Sequence, residues 1–197
     1  MEKIIIKKIL VLFTCLFVFG LSYNSYAIVL TFEDTTEHPL DTYGGVDWYG
    51  FGRYSIDSPV IKKGVVSGTH GAYSLIAGVY VDVFALPGER LNFQGVNLTG
   101  HFSDNYEIQV DGFLNGELVY TTTVYADYET PTWFSFNYTN IDRIGFIGKN
   151  SGPFLMDDFT FTKELAPPDP VPEPTTILLL GSGLISITGV RKKLRKR

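Results

Sequence analysis

The chain has 197 residues, 45% of them hydrophobic and 15% aromatic, enough for one domain of ordinary size and hardly two. Its formal charge of −5 is unevenly spread: residues 28–163 hold 7 Lys/Arg against 17 Asp/Glu, a net −10, and most of the remaining basic residues sit at the two ends. So acidic a middle excludes nucleic acid and anionic membrane as electrostatic partners and leaves cations and neutral polysaccharide.

At the N-terminus Lys3, Lys7 and Lys8 precede an apolar run from Ile9 to Leu21, followed by Ser25-Tyr26-Ala27. A basic start, a short apolar stretch and a small-x-small site predict a signal peptide over residues 1–27, cut after Ala27; the alternative is a retained N-terminal anchor. The only cysteine, Cys15, lies inside that apolar run, so the mature protein has no thiol and no disulfide. An exported domain without disulfides depends on its core, or on a metal.

The folded part, expected over 28–163, reads as β throughout. Ile28-Val29-Leu30-Thr31-Phe32 opens it as a strand. Tyr106, Ile108 and Val110 alternate with Glu107, Gln109 and Asp111, a half-buried strand of period two. It runs to Phe113-Leu114, then Asn115-Gly116, then a second β-rich run from Glu117 to Tyr125. Asn-Gly between two such runs is a strong hairpin signal, because both central positions need positive φ. Trp133 to Phe136, Ile141 to Ile147 and Phe154 to Thr162 continue at the spacing of an all-β sandwich. No segment of helical period and useful length precedes residue 175, and no internal repeat is visible.

A Pro-rich spacer, expected over 164–170, then leads to Val171-Pro172-Glu173-Pro174. Thr175 to Val190 is free of charge. Its 16 residues reach about 24 Å as a helix, against a hydrocarbon core of roughly 30 Å. Local thinning or snorkelling of Arg191 and Lys192 closes that gap. Arg191, Lys192, Lys193, Arg195, Lys196 and Arg197 form the basic stop and place this end in the cytoplasm, hence the acidic domain outside. The spanning segment at 175–190 therefore makes the inner membrane a transient partner.

The order Val171-Pro172-Glu173-Pro174, short apolar helix, Arg/Lys cluster resembles the PEP-CTERM sorting signal of Gram-negative bacteria. The resemblance covers 171–197 and implies processing by an exosortase, a membrane-embedded cysteine transpeptidase, near the Pro-Glu-Pro motif. The protein would then pass from a periplasmic, membrane-anchored state to the cell surface or extracellular matrix. The alternative is a plain C-terminal anchor in which those prolines only start a helix. Phe32-Glu33-Asp34, Tyr43-Gly44-Gly45-Val46-Asp47-Trp48-Tyr49-Gly50-Phe51, Val66-Ser67-Gly68, Asn115-Gly116 and Met156-Asp157-Asp158-Phe159-Thr160-Phe161 resemble the ground plan of a domain often found ahead of that signal. This second resemblance implies a jelly-roll sandwich of the galactose-binding-like and carbohydrate-binding kind, and carries no known activity.

In such a jelly roll the first and last strands pair antiparallel, so Glu33 and Asp34 come near Asp157 and Asp158. Four carboxylates in one small volume suit a hard cation, making structural calcium the candidate cofactor. The alternative is that one Asp of each pair caps a turn while the other is solvated.

For catalysis the signals are poor. His38, His70 and His101 are dispersed, Ser67 sits one place late for a nucleophile elbow in Gly64–Gly68, and no carboxylate pair stands out. The expected function is therefore non-enzymatic: a structural or adhesion role in exopolysaccharide or biofilm, with a carbohydrate-binding module as the alternative and a small hydrolase behind it. Trp48, Phe51 and Trp133 read as core. Tyr49 and Tyr128, out of phase or in a turn, are candidates for an exposed sugar-stacking platform.

Overall fold

The structure, a computed structural model, describes residues 26–57, 63–100, 103–149 and 152–167. Residues 1–25 of the predicted signal peptide, the sorting tetrapeptide, the spanning segment and the basic stop lie outside the described residues. Among those described, no helix is long and apolar enough to cross a membrane. The chain divides into two units, Met1–Leu165 and Ala166–Arg197.

The first unit is the all-β sandwich expected, built from two antiparallel sheets of six strands each. Sheet A runs in the order β10 (Thr132–Ile141), β7 (Glu89–Gly100), β12 (Phe154–Leu165), β5 (His70–Ser74), β4 (Phe51–Ser55), and β1 (Ile28–Leu30) also pairs with β12. Sheet B runs β2 (Thr42–Tyr43), β3 (Val46–Tyr49), β6 (Val81–Ala85), β11 (Arg143–Gly148), β8 (Tyr106–Leu114), β9 (Glu117–Ala126). The expected hairpin joins β8 to β9. Leu114 faces Glu117, and Asn115 and Gly116 hold φ of 52° and 83°.

Period-two alternation sends one face of each sheet inward. Phe32, Phe51, Phe93, Phe146, Phe154, Phe159 and Phe161 are all at most 1% exposed. Their rings meet in pairs, Phe93 stacked on Phe159 with centroids 4.9 Å apart and Trp48 edge-on to Phe51 at 5.3 Å. Each ring buried so contributes about 1.5–3 kcal/mol, which lets a domain without disulfides hold together.

Three expectations shift at their edges. The first strand stops at Leu30, because Phe32 turns to φ 59° to drop its ring into the core. The last strand continues past Lys163: Glu164 and Leu165 still face Arg90 and Glu89, so the spacer starts two residues later than its composition suggests. Trp133, read as core, is 43% exposed on edge strand β10, while Trp48 and Phe51 are buried.

Candidate functional site

Glu33, Asp157 and Asp158 do converge, and the reason is topological. One edge of β12 pairs with β5 through Leu155 and Met156, then with β1 through Phe159 to Phe161. Asp157 and Asp158 occupy the change-over, a bulge at which Asp158 takes φ 52°. The turn 66–70, leading into β5, closes the gap between β1 and β5. Asp157 Oδ2 accepts the backbone N–H groups of Val66 (2.7 Å) and Ser67 (2.8 Å), and its Oδ1 that of Asp158 (2.8 Å). Asp158 accepts from Ser67 Oγ (2.7 Å) and Asn97 Nδ2 (3.2 Å). From the other side Glu33 Oε1 accepts the N–H groups of Thr69 and His70, both at 2.6 Å. A Cβ on Gly68 would fall 2.4 Å from the Glu33 carboxyl carbon, so only glycine lets Glu33 reach this turn.

These hydrogen bonds are the ones the turn-capping alternative calls for. Asp34 points instead to the Tyr43 hydroxyl. Among the described residues no group of three or more Asp, Glu, His or Cys is placed to hold a metal. Backbone donors, which a strand change-over leaves unpaired, meet Asp157 and Glu33. Burial pushes the Asp157 carboxyl up to about 6 despite its donors, whereas the bond from His70 leads in holding Glu33 down at about 2.

Tyr49 and Tyr128 lie on different elements. Tyr49 is 59% exposed on the outer face of sheet B. Tyr128 lies in the loop after β9, its ring covered by the Lys63 ammonium 4.4 Å from the centroid and its N–H bonded to Asp104. Lys63 is in turn paired with Glu129. This ring is therefore a cation-anchoring group in a loop.

The outer face of sheet B holds a different constellation, across strands the sequence does not mark. Register aligns Tyr49 with Asp82, Asp82 with Gly145, Gly145 with Asp111, and Asp111 with Thr121. Two carboxylates thus flank a glycine on the middle strand. A Cβ on Gly145 would come 2.9 Å from Tyr80 Cδ1 and 3.0 Å from Asp82 Oδ1, so Tyr80 lies across the sheet only because that side chain is missing. Tyr80 donates its hydroxyl to Asp111 Oδ2, which also accepts from Gln109 Nε2 at 2.8 Å. Arg143 lies over the Phe113 ring at 3.6 Å. Its Nε is 3.6 Å from Asp82 Oδ1, too far for a hydrogen bond. Asp82 Oδ1, Asp111 Oδ1 and Arg143 Nε are all buried without a hydrogen-bond partner. Burial raises the Asp82 carboxyl, with Arg143 offsetting part of the rise. Tyr125, 54% exposed, faces Glu107 on the same side of the sheet. Tyr49 and Tyr125 thus stand on opposite flanks of the polar strip, about 19 Å apart across four strand spacings and offset about 13 Å along the strands. The only sequence signal for this strip is alternation: Tyr80, Asp82 and Phe84 against Val81, Val83 and Ala85.

Thr69 Oγ1 (2.9 Å) and Glu33 Oε2 (2.9 Å) both meet the Nδ1 of His70.

Comparison with solved structures returns β-sandwich modules at low identity. A cyclase from Fischerella sp. TAU shares 14% identity at a TM-score of 0.41, covering 72% of this chain and 100% of that one. The CBM22-1–GH10 modules of Clostridium thermocellum endo-1,4-β-D-xylanase 10B, complexed with xylohexaose, share 16% at 0.40, covering 72% and 29%. The CBM22-1–CBM22-2 tandem domain of Paenibacillus barcinonensis Xyn10C shares 12% at 0.42, covering 78% and 49%. No curated protein matches the chain. At the C-terminus, residues 170–193 match the PEP-CTERM protein-sorting motif, and the chain carries the sorting signal of an exported protein.

Proposed function

We propose that this is a non-enzymatic protein of the cell surface or extracellular matrix, processed by an exosortase at Val171-Pro172-Glu173-Pro174, whose sandwich holds exopolysaccharide through the outer face of sheet B. The observation that carries the reading is the strip between Tyr49 and Tyr125. Flat exposed rings stack on sugar C–H faces, and the partly exposed polar side chains of Glu107, Gln109 and Arg143 on the same face supply hydrogen bonds between them. A structural or adhesion role in the matrix follows, because a shallow open face desolvates little and binds weakly. Dissociation constants near 1 mM, about −4 kcal/mol, hold a protein only when many copies meet one polymer. A hydrolase reading finds less support: one oxygen of Asp111 is committed to Tyr80 and Gln109, and the side chain is fully buried.

The test is affinity electrophoresis of the protein through gels containing neutral or acidic polysaccharides. Tyr49→Ala with Tyr125→Ala should abolish retardation and leave the melting temperature within a degree or two, since both rings are more than half exposed. Tyr128→Ala should leave retardation unchanged. Retardation that survives the double substitution would remove sheet B from the account, and reducing ends released during the run would reinstate a hydrolase.

A further inference from the structure

Strand β9 is the outermost strand of sheet B and, among the described residues, pairs with β8 alone. Its other edge offers a row of backbone donors and acceptors. Proteins usually blunt such an edge with lysine, proline, bulges or brevity. β10, the adjacent edge of sheet A, is blunted in that way: Asn137 and Asn140 take φ of 54° and its register with β7 shifts twice. β9 has none of these defences along most of its length. From Leu118 to Ala126 it contains no charge and no proline, and its ladder with β8 is regular from Tyr120 to Ala126.

The sequence of β9 also reads as its own complement. About Thr122 as centre, Val119-Tyr120-Thr121-Thr122-Thr123-Val124-Tyr125 sets Thr121 against Thr123, Tyr120 against Val124 and Val119 against Tyr125 when two copies run antiparallel. Every cross-strand pair is then Thr–Thr or aromatic–β-branched, the combinations that stabilise antiparallel ladders. The odd-numbered residues lie on the outer face in both copies, so a two-fold axis at Thr122 joins the sheets with their outer faces on one side. Charge favours the same partner. Two domains at net −10 repel one another over most of their surfaces, and an uncharged edge is where that repulsion is least.

We infer that β9 is a homotypic docking edge, through which two copies pair antiparallel about Thr122 into one continuous twelve-stranded sheet. The pairing places two outer faces side by side, which raises avidity for one polymer, but it does not depend on carbohydrate binding.

The experiment uses the full chain in detergent with Cys15→Ser. Thr122→Cys places each thiol opposite its copy, at the 4.5–5.5 Å Cα spacing of an antiparallel pair, within disulfide range. Tyr125→Cys places the two thiols roughly 20 Å apart, six residues along the ladder. Mild oxidation should give a disulfide-linked dimer for the first and monomer for the second. Thr121→Lys with Thr123→Lys sets lysine against lysine on exposed positions and should halve the sedimenting mass of the wild type. A wild type that stays monomeric across the concentration series would overturn the pairing. So would equal cross-linking at 122 and 125, or a folded lysine variant that remains dimeric. Should the lysine variant lose its circular-dichroism signature, the contrast between positions 122 and 125 decides alone.

Discussion

Asp157 carries the hydrogen bonds of a strand change-over while fully buried, and its titration reports on that conflict. Desolvation raises its folded pKa from 3.8 to about 6, so its contribution to stability is complete below pH 3.8 and is lost as pH rises through 6. Glu33 runs the other way: lowered by His70 to about 2, its contribution is present above 4.5 and is lost as pH falls towards 2. The domain should therefore melt highest in mildly acidic solution. Asp157→Asn should flatten the fall in melting temperature between pH 4 and 7, a span worth on the order of 1–3 kcal/mol. An unchanged slope would show that Asp157 does not titrate there. The same geometry bears on calcium. Because backbone N–H groups already meet Asp157 and Glu33, excess chelator should leave the melting curve in place; a fall of several degrees would restore the cation. That these acids come together was legible in the sequence from the pairing of the first and last strands. What neutralises them was not, because the donors belong to a turn some 90 residues from Asp157 along the chain.

At the scale of elements, the strands most easily read are those with uninterrupted alternation or a turn of demanding geometry. β8, the Asn115-Gly116 turn and β9 follow from the sequence almost residue by residue. Gly116→Ala tests the turn alone: no atom lies within 4 Å of the Cβ it would gain, so the cost is that of a side chain at φ 83°, about 1 kcal/mol by denaturant unfolding. A neutral substitution would mean that the turn can change type without loss. β7, the strand that links β10 to β12 in sheet A, was not legible. Only Arg90 to Gln94 alternate, around Leu91 and Phe93; from Gly95 onward both faces are buried, which erases the alternation over the longer part of the strand. The strip on sheet B was hidden for a related reason. Its members come one or two per strand from β3, β6, β11 and β8, and only register sets Asp82 and Asp111 on either side of Gly145. The contact of Tyr128 with Lys63 was not legible either, since Lys63 lies 65 residues away along the chain.

On the scale of the whole molecule, charge separates the part that is delivered from the parts that deliver it. The net −10 of residues 28–163 would be poorly held at an anionic membrane surface, whereas the six basic residues after Val190 are suited to the cytoplasmic leaflet. Between them a 16-residue uncharged segment would be short for a bilayer and, if it spans one, would give a comparatively weak hold. Such an anchor would suit a protein first retained and then released, and residues 170–193 match the PEP-CTERM protein-sorting motif. If an exosortase acts there, alanine at Pro172, Glu173 and Pro174 should leave export intact, because the N-terminal segment is untouched, and should hold the protein in the membrane fraction. Fractionation of cells expressing the wild type and the alanine variant measures this directly. A variant found at the cell surface or in the medium as abundantly as the wild type would assign release to another protease. A variant absent from the periplasmic side altogether would assign the tetrapeptide to translocation. The expected pattern, full export with no release, requires that the proline-flanked glutamate be read as a cleavage signal and not merely as the start of a helix.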